Sequence, residues 1–419
     1  MFSTWGALTG LALAIVLIVR RATPPYALVA GALVGGLAGG GGLQETVSAM
    51  MAGAQSMMPS VLRILTSGIL AGALVKTGSA EKLADAVVRS IGLRFAPAAI
   101  ALAAMIVTAV GVFVDIAVIT VAPVALAVGR RAGIPVSALL VAMVGGGKAG
   151  NVISPNPNTI AAADAFHVEL TSLMAKNIVP ALCAFAVASL LSSWLARRER
   201  GQVSPPAEPC DASPSGGGPC LLLAASGPLV VVGLLAMRPV LGIAVDPLVA
   251  LPAGGLVSIL ACGAWRKTAA YCEYGLSKVA GVSILLIGTG AVAGIVKNSG
   301  LNGDMIALLN ACRLPAFALA PFSGALLSGA TASTTAGVTI AAQTFSGALV
   351  ESGVPALSAA AMMHAGGTMF DALPHGSFFH ATAGAVGIGV KERLRLFPYG
   401  TLVGLTTTLV SVAMHLAGL

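Results

Sequence analysis

The sequence predicts an all-α, polytopic membrane protein built from two inverted repeats, each with a re-entrant hairpin and a broken transmembrane helix. Three observations carry that prediction. The 419 residues are 57% hydrophobic and only 9% charged, with a mean hydropathy of +0.94, against roughly a quarter charged in soluble domains, so there is too little polar surface to cover a water-soluble globule. Two stretches of the first half recur in the second at nearly one offset. The basic residues fall on one side of the membrane once two hairpins are allowed to enter and leave on the same side.

The elements follow in chain order. Apolar runs of about 18–25 residues recur along the chain, each long enough to cross a hydrocarbon core of about 30 Å. The first, near Thr4 to Arg20, has no basic region before it and no small-residue cleavage site, so it reads as a retained helix and not a signal peptide. An N-terminal membrane half (1–200) holds a first repeat at about 61–196, with a hairpin at about 97–128 and a broken helix at about 137–166. The stretch "RRERGQVSPPAEPCDASPSGGGPC" (Arg197–Cys220) cannot pack or span, so 201–220 reads as a flexible linker. The C-terminal half (221–419) holds the second repeat at about 280–418, with a hairpin at about 315–350 and a broken helix at about 355–386.

The duplication is read from two matches. "SGILAGALVKTG" from Ser67 pairs with "TGAVAGIVKNSG" from Thr289 at an offset of 222, and "GIPVSALLVAMVGGGKAGN" from Gly133 pairs with "GVPALSAAAMMHAGGTMFD" from Gly353 at an offset of 220. With the hairpins re-entrant, one side collects Arg20, Arg21, Lys76, Lys82, Arg89, Arg94, Arg130, Arg131, Arg197, Arg198, Arg200, Arg266, Lys267, Lys278, Lys391, Arg393 and Arg395, which is 17 of 23 Lys and Arg. Arg63, Lys176, Arg238, Lys297 and Arg313 fall opposite, and Lys148 lies at membrane depth. The positive-inside rule makes the first side cytoplasmic, which puts the linker inside and both termini outside. The first copy then runs out-to-in and the second in-to-out. The net charge of +8 is thereby topology, and no nucleic-acid partner is expected.

Inverted repeats with interrupted helices are the signature of secondary transporters, with substrate at the midplane between the copies. "GGGKAGNVISPNPN" (145–158) reads as the unwound centre of a crossing helix, where freed backbone groups face a cavity and not lipid. Its partner is "HAGGTMFDALPHGS" from His364. An external loop is disfavoured because Ala138–Val144 and Thr159–Phe166 are each too short to span.

Hairpin then Gly-rich broken helix, given twice, resembles the ion transporter superfamily. "SPNPNTIAAADA" (Ser154–Ala165), "ATASTTAGVTIAAQTF" (Ala330–Phe345) and "FDALPHGSFF" (Phe370–Phe379) resemble the gluconate permease family of carboxylate symporters, the last especially its 3-hydroxybutyrate permeases. The resemblance covers about Val61 to Tyr399. It implies transport of a small organic acid anion, usually with protons and with sodium as the alternative, in an inner membrane, by a moving part beside a rigid scaffold, often in a homodimer.

The candidate site residues are compared across copies. Asp115 pairs with Thr335, Lys148 with Thr368, Asn151 with Asp371, His364 with Val144 and His375 with Pro155. Ionisable groups at membrane depth are costly and mark function by default. Asp115 lies at the first hairpin tip and Ser333, Thr334 and Thr335 form the second, where hydroxyls and helix-start amides can bind a carboxylate. The superfamily often carries a Ser-Asn-Thr triplet at both tips; Phe113-Val114-Asp115 departs from it. Lys148 can meet the substrate carboxylate, pair with Asp115 or Asp371 as a fixed positive charge in place of an ion, or snorkel to an interface. Asp371, His364, His375 and Asp115 are the candidates for proton coupling. Asn151, Asn156, Asn158, Thr368 and His375 join the substrate-binding set, with helix capping the competing role of the amides.

Three other classes are weighed. A nucleotide loop at "GGGKAG" would need Gly at Ala142 and a hydroxyl at Ala149. A water-type channel is hinted at by "NPN", yet the partner copy has Leu373-Pro374-His375. An intramembrane hydrolase could pair Ser328 or Ser333 with His364 or His375, but duplication of a whole half is not required by one nucleophile and base. The six cysteines are scattered with no Cys-x-x-Cys pair, so no metal or other cofactor is expected.

Overall fold

The structure is a computed structural model and describes residues 2–20, 22–92, 95–199, 219–241, 243, 245–301, 303–304, 307, 315–374 and 376–419. Most of the linker and His375 therefore lie outside the described residues, as do Arg21, Arg94, Arg200 and Arg313. The described residues form α-helices and no strands. The first half contains α1 (Thr4–Val19), α2 (Pro24–Ala38), α3 (Leu43–Ser56), α4 (Met58–Lys76), α5 (Ser79–Ile91), α6 (Ala96–Ala109), α7 (Val114–Ala132), α8 (Val136–Asn151), α9 (Pro157–Ala165), α10 (Leu170–Lys176) and α11 (Ile178–Arg198). The second contains α12 (Leu221–Leu241), α13 (Pro247–Ala261), α14 (Thr268–Lys297), α15 (Leu319–Thr331), α16 (Thr334–Glu351), α17 (Ala356–Gly367), α18 (Ser377–Val386) and α19 (Val390–Leu416).

Local sequence explains the boundaries. Proline stands in the first turn of α2, α4, α6, α9 and α13, where its missing N–H costs nothing. The tip between α6 and α7 turns on Gly111 at φ +110, and that between α15 and α16 on Ala332, a non-glycine at φ +47. Four described stretches are long and apolar enough to cross a membrane: Met58–Lys76, Ile178–Arg198, Trp265–Lys297 and Val390–Leu416. The uniform 18–25-residue runs expected from hydropathy are thus cut by Gly, Pro and Asn into shorter helices. α3 had no place in the sequence reading; its 14 residues, with Gln44, Glu45 and Gln55 among them, are too short and too polar for a span, and it packs on α14 through Gly53, Gly290 and Gly294.

The two most enclosed helices are α8 and α17. Every residue from Ala138 to Asn151 and from Ser358 to Gly367 is buried, as expected of helices apolar all round. Glycine allows the close packing. A Cβ on Gly146 would lie 1.9 Å from the Ala101 carbonyl oxygen of α6, and one on Gly366 would lie 2.2 Å from the Pro321 carbonyl oxygen of α15. In lipid, such backbone-to-backbone approach replaces the hydrophobic drive of a soluble core. This corrects the expectation that Gly145–Asn151 is unwound. Those glycines are helical and serve packing, and the chain leaves the helix only at 152–156. The second break spans 368–376, between α17 and α18.

Around these pillars, α6 packs on α8 and α15 on α17, while α7 lies against α18 and α16 against α9. Helices α4 and α14 pack on each other, with α2 and α3 against α14 and α13 against α4. α19 runs between α11, α17 and α8, which brings its backbone to both breaks.

Candidate substrate site at the two helix breaks

Lys148 sits on α8, one turn before the first break, and is 1% exposed. Its Nζ lies 2.6 Å from Asp371 Oδ1 and donates to the carbonyl oxygens of Thr368 at 2.7 Å and Gly400 at 3.2 Å. Two of its three N–H groups are thus taken by carbonyl oxygens, and the carboxylate meets the ammonium as an ion pair, with Asp371 Oδ1 buried without a hydrogen bond. Of the alternatives open to Lys148, pairing with Asp371 is the one present, and neither snorkelling nor a bond to Asp115 is seen. The Thr368 hydroxyl bonds its own helix at Ala365; its backbone oxygen, not its side chain, enters the site.

Asp371 lies in the second break and is 4% exposed. Its Oδ2 accepts from Thr334 Oγ1 at 2.7 Å, the first residue of α16. The next residue, Thr335, donates its hydroxyl to Asn158 Oδ1 at the start of α9. Two successive hydroxyls at one hairpin tip therefore clasp both breaks. Ser333 is the N-cap of α16, accepting from the Ala336 N–H at 3.3 Å. At the first tip, the matching positions are Val114 and Asp115. Asp115 is half-buried in the first turn of α7, its carboxyl facing the N–H groups of that turn, and the structure does not bring it to Lys148.

The first break is neutral, and its amides bond mainly to one another. Asn156 Nδ2 donates to Asn151 O at 2.8 Å and Oδ1 at 2.6 Å, and Asn158 Nδ2 donates to the same Oδ1 at 3.0 Å. Asn156 Oδ1 accepts from the N–H groups of Asn158 and Thr159 at 2.9 and 3.1 Å, capping α9. Of these amides, Asn156 has the capping role. Asn151 Nδ2, Ser154 Oγ and Ser328 Oγ remain buried without a partner, as do both ring nitrogens of His364. Most buried polar groups are bonded, so these orphans are groups a bound ligand or water could meet. His364 is one turn before Thr368 on α17. His380, read as an ordinary bonded histidine, meets the Pro374 carbonyl oxygen at 2.8 Å.

Two features escaped the sequence reading. Arg393, counted there among the cytoplasmic charges, is buried, with 2% exposure. A helical-face count would have found it, because it shares the face of Gly400, Gly404, Thr407 and Ser411, the small-residue stripe by which α19 packs. The second is a rim cluster: Arg63 bonds both Asp164, at the end of α9, and Asp246, the N-cap of α13, at 2.7 Å to the latter. Ser60 donates to Asp164 at 2.5 Å. The hydrogen bond from Arg63 holds the Asp246 carboxyl below its usual range. A cavity of about 500 Å³ opens beside it, lined by Arg63, Asp164, His167 and Asp246 among others.

The family model described as GntP family permease matches residues 4–417. The chain belongs to that family. As a GntP family permease it is a multi-pass membrane transporter and not an enzyme. It is similar to an uncharacterized transporter of Haemophilus influenzae, 50% identical over 411 residues, 98% of this chain and 97% of that one. An uncharacterized permease of the same organism is 25% identical over 174 residues, 41% of this permease and 36% of the relative. Among solved structures, the YdaH transporter of Alcanivorax borkumensis matches with a TM-score of 0.71 over 90% of each chain at 15% identity, a likeness of fold.

Proposed function

We propose that this permease is a secondary active transporter that carries a small hydroxy-carboxylate together with protons by alternating access. The observation that carries the reading is the Lys148–Asp371 pair, 2.6 Å apart and sealed from solvent, which joins the broken helix of one half to that of the other. A buried ion pair is weak as a stabilising device, because desolvation offsets its attraction. In a membrane interior its presence points to a transport path.

The halves are read as inverted repeats. Gly147 and Gly367, 220 positions apart, face Thr108 with Val114 and Ser328 with Thr334, neighbours that are themselves 220 apart. The packing of α7 on α18 and of α16 on α9 is reciprocal in the same sense. The sidedness read from the basic residues assigns the contacts at the helix ends to one face or the other. Arg63 meets Asp246, Lys176 meets the chain end at Leu419, and Phe2 pairs with Ser299, all on the outer side; Ser137 meets Glu199, and Lys76 and Lys278 flank Tyr274, on the inner. We place the chain in the inner membrane as a homodimer, with the hairpins and broken helices as the moving part against α4 and α14.

Protons are favoured over sodium by the surroundings of Lys148. Its ammonium occupies a cage of three oxygens, from Asp371, Thr368 and Gly400, of the sort that otherwise suits a small cation. His364, one turn before Thr368 and fully buried with neither nitrogen bonded, is the group read as taking the proton. A proton there adds a cation to the site, so proton and carboxylate each favour the other's entry.

The test is uptake of gluconate, glycerate and 3-hydroxybutyrate into proteoliposomes under an inward proton gradient, a sodium gradient, or neither. Accumulation with the proton gradient, abolished by an uncoupler, is expected. Accumulation with sodium alone would replace protons by sodium, and equilibration without either gradient would make the protein a channel.

A further inference from the structure

We propose that Arg393 reads the carboxylate of the transported acid, and that the seam it shares with Lys148 and Asp371 is built for one monoanion. The inference rests on the carboxylate reading above and assigns a residue and a net charge to it. Three observations support it. Lys391, Glu392, Leu394 and Arg395 around it are exposed, whereas Arg393 turns inward and is 2% exposed. Its Nε donates to Thr382 Oγ1 at 3.2 Å and its guanidinium lies 5.2 Å from the centre of the Phe379 ring, two contacts that fix the plane of the fork. Its Nη2 is buried with no hydrogen-bond partner, and no described carboxylate forms an ion pair with it.

An orphan N–H on a buried charged group costs more than a lost neutral hydrogen bond. Guanidinium is the side chain whose geometry matches a carboxylate bidentately. Arg393 lies within electrostatic reach of both Asp371 and Lys148. Two cations and one carboxylate leave this buried group with a charge of +1 while His364 is neutral, which one monoanion neutralises before the proton enters. Positions 393 and 400 are seven apart, so both face one side of α19 with about 10 Å of rise between them. The Gly400 carbonyl anchors Lys148. An acid of a few carbons held at Arg393 thus extends along α19 toward the breaks.

The experiment takes whichever of gluconate, glycerate or 3-hydroxybutyrate the wild type accumulates, and tests its neutral primary amide as competitor. Wild type should prefer acid to amide by about tenfold or more, the scale of a charge-assisted contact. Arg393→Gln should raise KM for the acid about tenfold with a smaller change in maximal rate, and bring the acid-to-amide ratio close to one. Arg393→Met should melt at or above the wild-type temperature in detergent, since it removes an uncompensated buried charge. Wild-type KM and acid preference in Arg393→Gln would overturn the assignment, and failure of both variants to fold would make Arg393 a structural residue and overturn it too. If the wild type takes up none of the three acids, the carboxylate reading itself falls and this assignment with it.

Discussion

The two helix breaks occupy matching places in the two halves and are held open by different chemistry. The first is a set of amides, Asn151, Asn156 and Asn158, bonded mainly to one another, with Asn156 capping α9 and Thr335 of the other half donating to Asn158. The second holds a carboxylate, Asp371, whose partners come from elsewhere: Lys148 from the other half and Thr334 from the hairpin tip. In the inverted-repeat reading proposed above, the two breaks share one backbone frame and differ in their side chains, neutral amides in one and a carboxylate in the other. Neutral amides can be buried with each other at low cost, whereas a buried carboxylate needs its cation. Both breaks take a bond from the other half, and the charged one loses more if the halves shift.

That difference can be broken most severely at Asp371. Asp371→Ala strands Lys148 and should cost about 3–5 kcal/mol, whereas Lys148→Met with Asp371→Leu should recover most of it, as thermal unfolding in detergent would measure. The common frame is tested by Gly146→Ala and Gly366→Ala. Each presses a methyl onto a backbone oxygen, at 1.9 and 2.2 Å, and the two should lose similar stability, about 3 kcal/mol; a large loss in one alone would contradict the shared frame. At the tip, Thr334→Val removes a bond to a charged group and should cost about 1.5–3 kcal/mol, while Thr335→Val removes a bond to a neutral amide and should cost about 0.5–1.5 kcal/mol. Equal losses would mean that the two breaks are not electrostatically distinct.

The smallest effect is expected at the rim. The folded Asp246 carboxyl titrates below its unfolded value, so its contribution is present above the unfolded pKa and fades as pH falls through the folded one. Asp246→Asn should abolish that acid-side loss, while Asn151→Ala leaves it unchanged.

Much of this was legible in the sequence because the relevant signals are local. Gly, Pro and Asn punctuate the breaks, and the 220-residue offset pairs Gly146 with Gly366 and Asn151 with Asp371 before any coordinates. What failed had physical reasons. Glycine serves both unwinding and close helix packing, and Gly145–Gly150 turned out to do the second. Arg393 was assigned by its place along the chain, although its face of α19 decides its surroundings. Arg63, Asp164 and Asp246 meet across more than 100 residues, with no spacing to announce them. α3 lacks the apolar content that marks a span.

The most direct test of the central claim is proton-driven uptake by the Lys148→Met, Asp371→Leu double variant, beside wild type, in proteoliposomes of matched protein content. With a wild-type-like melting temperature and no accumulation of the acid, the pair is the charged centre of the transport site. Wild-type accumulation by the same variant would show the pair to be structural and would contradict the account.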